Sequence, residues 1–260
     1  LRLWSIKTKT PHSHLTSLLK HLRTHPCHDS LPRCARTLLQ TPRESTAVVE
    51  MGAGKYCHFG LTSGLRYSLQ NAHHIPDTLS LIFNIDGLPL TRSTRGQFWP
   101  ILCRVANCGK GKPFFVGVFY GMAKPRDADV FLQPFVTDLQ DVLLSGLEIK
   151  DQLVRVRVAA IVCDAPARAY ILSVKSHSGF YSCTKCDVKG EHRDGRVCFP
   201  VVTGEGRTND SFRDLLQRQH HVGQTILTEL PIDMIDCIPL DYMHLVCLGV
   251  VRKLLHLWFS

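Results

Sequence analysis

Two apolar runs in this chain each end in a single aspartate. Residues 79–86 read LSLIFNID and are followed by Gly87-Leu88-Pro89. Residues 154–164 read VRVRVAAIVCD and are followed by Ala165-Pro166-Ala167-Arg168. An apolar run of this length, bounded by turn residues, has the pattern of a buried strand. Such a strand delivers its terminal carboxylate to the rim of a sheet. If the two strands are neighbours, Asp86 and Asp164 form one site that can share Mg2+ or Mn2+. Two such ions, about 3.5–4 Å apart, activate an attacking oxygen and stabilise a leaving one in phosphoryl transfer. Magnesium suits the site because it takes few carboxylates and leaves room for water and substrate phosphate. Taken singly, each aspartate reads as an acid that caps the next turn; the repeated layout favours the metal. No later acid completes the set by position, since Glu229 and Asp233 fall in a loop.

A second constellation is Cys183-Thr184-Lys185-Cys186, a CxxC turn just after Gly179-Phe180-Tyr181. Two thiolates from one tight turn are half of a zinc site. A redox CxxC is the rival, but no thioredoxin-like strand precedes it. Further ligands are sought among His220, His221, Asp241 and His244. Asp241 and His244 share a helix face at i, i+3. The expected zinc set is Cys183, Cys186 and His244, with Asp241 or His221 as the alternative. Alone, His244 would read as a core histidine. Arg168, Lys175, Lys185, Lys189, Arg193 and Arg196 surround the second aspartate and the CxxC. Arg168, Lys175 and Lys185 are the candidate nucleic-acid contacts, because basic side chains beside a metal site suit phosphate. The plainer reading is a solvated basic face. Cys57-His58 and Cys198 read as structural, and Cys27 and Cys34 are too isolated to be ligands.

The elements that must position these residues follow from periodicity. Residues 1–43 are basic and hold two short helices, one carrying Leu15, Leu18, Leu19 and Leu22, the other Ala35, Leu38 and Leu39, with Thr41-Pro42-Arg43 as the stop. Residues 50–74 read as a turn-rich approach with a helix over 63–71. Strands are expected at 79–86, 97–106 (Pro100 marking an edge or bulge) and 114–120, with connections short enough for an antiparallel meander. A helix capped by Asp127 or Asp129 runs to Leu144 and stops at Gly146, with Pro134 in its first turn or kinking it. The strand 154–163 and a helix over 165–177 follow. Strand, strand, strand, helix, strand, helix is the order of a ribonuclease-H-like α/β fold. Its first and fourth strands are central, adjacent and parallel, which joins Asp86 to Asp164. The expected division is a basic helical segment over 1–60, the core over 61–178, and a CxxC-containing, then helical, region over 179–260.

Lys and Arg number 31 against 22 acidic residues, a formal charge of +9 in 260 residues, which favours a polyanionic partner. No apolar run reaches the roughly eighteen residues of a membrane helix, and the N-terminus lacks the pattern of a signal peptide. Eleven cysteines, an odd count without a secretory signal, argue for reduced thiols. The chain begins with Leu, and residues 250–260 read as the middle of an apolar helix. It is therefore expected to be a piece of a longer reading frame.

Six motifs then occur in a fixed order: NIDGLPL (84–90), QFWPILC (97–103), PFFVGVFYG (113–121), CDAPARA (163–169), CTKC (183–186) and PLDYMHLVCLGVVRKLL (239–255). Together they resemble the DDE-class transposases of the CACTA-like group and the transposon-derived open reading frames of animal genomes, from about Gly60 to the end. The resemblance implies Asp86 and Asp164 as the first two catalytic acids, matched positions for Cys183, Cys186, Asp241 and His244, and metal-dependent DNA cleavage and strand transfer in the nucleus. Its partners would be transposon ends, target DNA and further copies of the chain, with no membrane. The family's third acid, a glutamate, lies beyond an inserted helical region and is not in this sequence. The expectation is thus an incomplete core, inactive alone. The alternative is a catalytically dead, transposon-derived zinc- and DNA-binding protein. A non-transposase nuclease of the same fold would explain the aspartates but not the CxxC with the later acid-x-x-His.

Overall fold

The computed structural model describes residues 1–41, 47–90, 95–109, 111–202 and 204–259. The chain divides into two compact units, residues 1–46 and 47–260. The first contains α1 (Arg2–Lys7), α2 (His12–Leu22) and α3 (Ala35–Leu39). Leu15, Leu19 and Ala35 are its buried centre, with Leu31, Leu38 and Leu39 packed on them. The Ala35 amide donates to Thr16 Oγ1 at 3.1 Å, which ties the start of α3 to α2. α3 ends where Gln40 turns left-handed at φ 55°. Pro42 and Arg43, expected to stop this helix, lie outside the described residues.

The second unit is mixed α/β and is built on one mixed sheet. Its chain order is β1 (Val48–Met51), β2 (Gly54–His58), α4 (Leu61–Leu69), β3 (Thr78–Ile85), β4 (Leu88–Pro89), β5 (Gln97–Val105), β6 (Phe114–Gly121), α5 (Ala128–Ser145), β7 (Leu147–Ile149), β8 (Gln152–Val162) and α6 (Ala165–Ile171). The strands lie in the order β1-β2-β6-β5-β3-β8-β7, with β4 on β5. β3 pairs antiparallel with β5 and parallel with β8. The long α5 between β6 and β8 supplies the crossover that a parallel neighbour needs.

β3 alternates as its sequence demands. Leu79, Leu81, Phe83 and Ile85 are fully buried, and Phe83 meets Phe135 of α5 edge to face at 5.0 Å. The apolar stripe of α5, including Phe131, Leu132, Phe135, Val136 and Leu139, is buried with them. Asp127 caps α5 by accepting from the amides of Asp129 and Val130, and Gly146 at φ 72° ends it. Pro134 is the seventh residue of α5, beyond its first turn, and the helix continues past it to Ser145.

Three local expectations differ from what forms. The approach before β3 is a hairpin, β1–β2, turned by Gly52 at φ 58°, and β2 joins the sheet beside β6. The compact unit accordingly begins at Ala47, before the boundary expected near residue 60. The helix expected over 165–177 stops at Ile171, because Ser173 turns left-handed at φ 51° and Val174 bridges to His221. A short edge strand, β7, turns into β8 through Lys150 and Asp151, both at positive φ.

Beyond α6 come a small hairpin, β9 (Glu191–Arg193) and β10 (Arg196–Cys198), and α7 (Asn209–Arg213). The following segment packs Leu227, Leu230, Met234 and Ile238 into the core. The Ile161 amide of β8 donates to Cys237 O at 2.7 Å, so this segment lines the upper edge of β8. A π-helical stretch, Met243–Val251, leads into α8 (Arg252–Phe259), and neither has a buried residue. Among the described residues no helix is long and apolar enough to cross a membrane.

Candidate acid site and cysteine turn

The parallel register pairs Asn84 of β3 with Val162 of β8. Asp86 and Asp164 each stand two residues further on, so both leave the sheet at the same rim. Asn84 Nδ2 donates to Val162 O at 3.1 Å and ties the two ends together. One oxygen of each carboxylate is anchored by backbone: Gly87 N donates to Asp86 Oδ1 at 2.7 Å, and Ala167 N donates to Asp164 Oδ1 at 2.7 Å. Asp164 is thereby both the N-cap of α6 and a rim acid, so the capping role and the site role coexist. The Asp86 carboxyl is raised above its ordinary value, first by burial and then by the negative charge of Asp164.

Asp241 and His244 lie in the same electrostatic neighbourhood. Both act on Asp86, His244 opposing the rise and Asp241 adding to it. Asp241 accepts from the amide of Met243 at 2.9 Å, and its other oxygen takes His244 Nδ1. His244 is therefore raised, chiefly by Asp241. Burial pushes Asp241 up, but the His244 hydrogen bond and the Met243 and His244 amides outweigh it and hold Asp241 low. The histidine expected to complete the zinc set with Cys183 and Cys186 is thus held at the acid rim by Asp241.

Arg168, one turn into α6, links the two constellations. Burial lowers its guanidinium, against the pull of Cys163, Asp164, Asp241 and Cys183. Its Nε is buried without a partner among the described residues. Lys175 is exposed. Lys185 points inward, its ammonium donating to Ile235 O and Ile238 O. Lys189 lies over the Tyr181 ring, and Arg193 pairs with Glu191 at 2.7 Å.

Trp99 of the QFWPILC motif holds the rim. Trp99 is buried against Gly87, directly after Asp86, and its Nε1 donates to Gln97 Oε1 at 2.9 Å. The Trp99 ring meets Tyr170 of α6 at 5.2 Å, and Tyr170 donates to Pro125 O at 2.8 Å. Trp99 thus contacts the turn carrying Asp86 and the helix capped by Asp164. Sequence reasoning missed this buttress; its only signal was a tryptophan in a strand one residue from a proline.

In the CxxC turn the sulfurs of Cys183 and Cys186 are 3.4 Å apart. Burial pushes Cys183 up, but the amides of Lys185 and Cys186, the Cys186 thiol and Arg207 together lower it. Cys186 bridges to Gly206, and Arg207 Nε donates to Cys183 O at 3.0 Å. His220 Nδ1 lies 2.6 Å from Tyr181 O. Among the described residues no three His, Cys, Asp or Glu side chains stand together as a ready metal-binding group.

No protein-family model matches the chain, and no curated protein does.

Proposed function

We propose that the second unit is a ribonuclease-H-like core and that Asp86 and Asp164 are two of the acids that bind its divalent ions, for cleavage and strand transfer of DNA as in a DDE transposase. The observation that carries this reading is the in-register parallel pairing of β3 with β8, which sets the two aspartates side by side at one rim. The carboxylates fit Mg2+ or Mn2+, since each has one oxygen held by backbone and, among the described residues, one without a hydrogen-bond partner. When bound, the ions supply Lewis-acid activation of the attacking oxygen and charge stabilisation of the leaving one.

The protein's own groups have three tasks. Gly87 N and Ala167 N fix the carboxylate orientations. Arg168, half-buried beside Asp164, offers a cation to a phosphate drawn to the rim, and Lys175 adds charge from the surface. Lys185, its ammonium bonded to Ile235 O and Ile238 O, ties the CxxC turn to the segment that packs on β8 rather than offering a phosphate contact. The resemblance also implies a third acid, a glutamate, and action in the nucleus. The thiols of Cys183 and Cys186 suit zinc, a structural role beside the acid site.

The test is Mn2+ binding and strand cleavage of DNA carrying transposon ends by the full-length protein and by its Asp86→Ala and Asp164→Ala variants. Both variants should lose Mn2+ and cleavage while keeping the circular dichroism of the parent. Retained cleavage in either would remove the two-acid assignment.

A further inference from the structure

Among the described residues, eight buried side-chain polar atoms lack a hydrogen-bond partner, and six of them belong to Thr184, Arg207, Gln217, His220 and His221. These residues share one neighbourhood. Thr184 is inside the CxxC turn, Arg207 donates to Cys183 O, and the His220 amide donates to Gln217 O. Native proteins satisfy buried polar atoms, so such a concentration needs a physical account. His220 is only 1 % exposed, and the orphaned atom is its Nε2.

We propose that Cys183, Cys186 and His220 are three ligands of one zinc ion, with His221 beside the fourth position. The assignment replaces His244 and does not depend on the transposase reading. Its first support is the arrangement of His220. The ring nitrogen facing the chain, Nδ1, is 2.6 Å from Tyr181 O. The carbonyl can only accept, so Nδ1 carries the proton and Nε2 presents its lone pair. A histidine that donates one ring N–H to a backbone carbonyl and offers the other nitrogen is the usual form of a zinc-ligating histidine.

The sulfurs supply the second support. Zn–S bonds of about 2.3 Å at a tetrahedral angle set two sulfurs roughly 3.7 Å apart. The observed 3.4 Å is within a few tenths of an ångström of that. Tyr181, which orients His220, stands two residues before Cys183, so both donor groups ride on one short stretch. The three do not yet stand at ligating distance, and binding therefore draws His220 and the turn together. His221 has both ring nitrogens buried without a partner, and its ring is 5.2 Å from that of His220. His220 also borders a cleft of about 440 Å³ lined by Tyr181, Asp187 and Arg207, which gives an ion a way in. The ion would pin the CxxC turn to the segment around His220, next to Arg168.

The experiment is Co2+ titration of the reduced, metal-free chain, followed by displacement with Zn2+. The thiolate-to-cobalt absorption of a tetrahedral site is expected to saturate at one Co2+ per chain, which separates this ion from any held by the carboxylates at the sheet rim. His220→Asn should weaken binding by more than about tenfold, the lower end of what even outer-sphere changes around a metal cost. His244→Asn should leave it unchanged. His220→Cys should bind Co2+ with stronger thiolate-to-cobalt absorption, and it decides the question if His220→Asn does not fold. Undiminished binding by folded His220→Asn, lost binding in His244→Asn, or no binding by His220→Cys would overturn the assignment. So would a wild-type chain that takes up no Co2+ while both thiols titrate, or one in which they join as a disulfide even under reduction.

Discussion

Gly87 packs so closely against Trp99 that a side-chain carbon added to it would stand 2.9 Å from Cε2 and Cζ2 of the indole. The turn after Asp86 can hold this course only without a side chain at that position. Gly87→Ala should push the indole or the turn aside and destabilise the protein by about 1–3 kcal/mol, as overpacking of a buried contact does. Urea unfolding measures this. Trp99→Phe makes room, so the double variant should lose less than the sum of the two single losses. Strict additivity would mean that the two residues do not share the contact.

The two rim aspartates should respond differently to neutralisation. Asp86 has a raised carboxyl because it is buried and faces Asp164. With the folded value above the unfolded one, the unfolded chain releases its proton first, and stability falls as pH rises through that window. Asp86→Asn removes the loss, so at neutral pH it should be as stable as the parent or more so. Asp164 caps α6, so Asp164→Ala should cost about 1 kcal/mol. Denaturant midpoints at neutral pH separate the two. A destabilised Asp86→Asn would contradict the account in which burial, and then the charge of Asp164, opposes the Asp86 carboxylate.

The Asp241–His244 pair gives a pH signature. His244 is raised, mainly by its bond to Asp241. Its contribution to stability is complete below the ordinary histidine value and disappears as pH rises through the raised one. Asp241 is held low, so its share is present above the ordinary carboxylate range and disappears as pH falls through the depressed value. An NMR titration should find His244 above the ordinary histidine value and Asp241→Asn should bring it down. Asp86 and Asp164 also act on His244, so a smaller drop is expected in Asp86→Asn. A His244 that titrates at the ordinary value in the parent protein would rule the pairing out.

Much of the sheet was legible because its strands are short apolar runs between turn residues. The strand endings at Asp86 and Asp164 fell within a residue or two of those observed. The β1–β2 hairpin was not, since Val48, Val49 and Glu50 are exposed and carry no alternation. The end of α6 was not either, because Ser173, which turns left-handed there, accepts from the amides of Val222 and Gly223, far along the chain. The i, i+3 spacing put Asp241 and His244 on one face, and in the structure His244 Nδ1 bonds Asp241; its relation to the cysteines was not legible from that spacing.

By itself, then, the sequence determined local matters: which segments are apolar enough to be strands, where α5 is capped and stopped, and that acids end two of the strands. Periodicity and capping act over a few residues, so they can be read along the chain. Three relationships were decided only by tertiary structure: the register in which β3 meets β8, of which the element order gave only the adjacency, the packing of Trp99 between Gly87 and Tyr170, and the burial of His220 with its ring against the Tyr181 carbonyl. Each joins residues far apart in the chain through a packed core or a fixed register, and no local pattern carries that information.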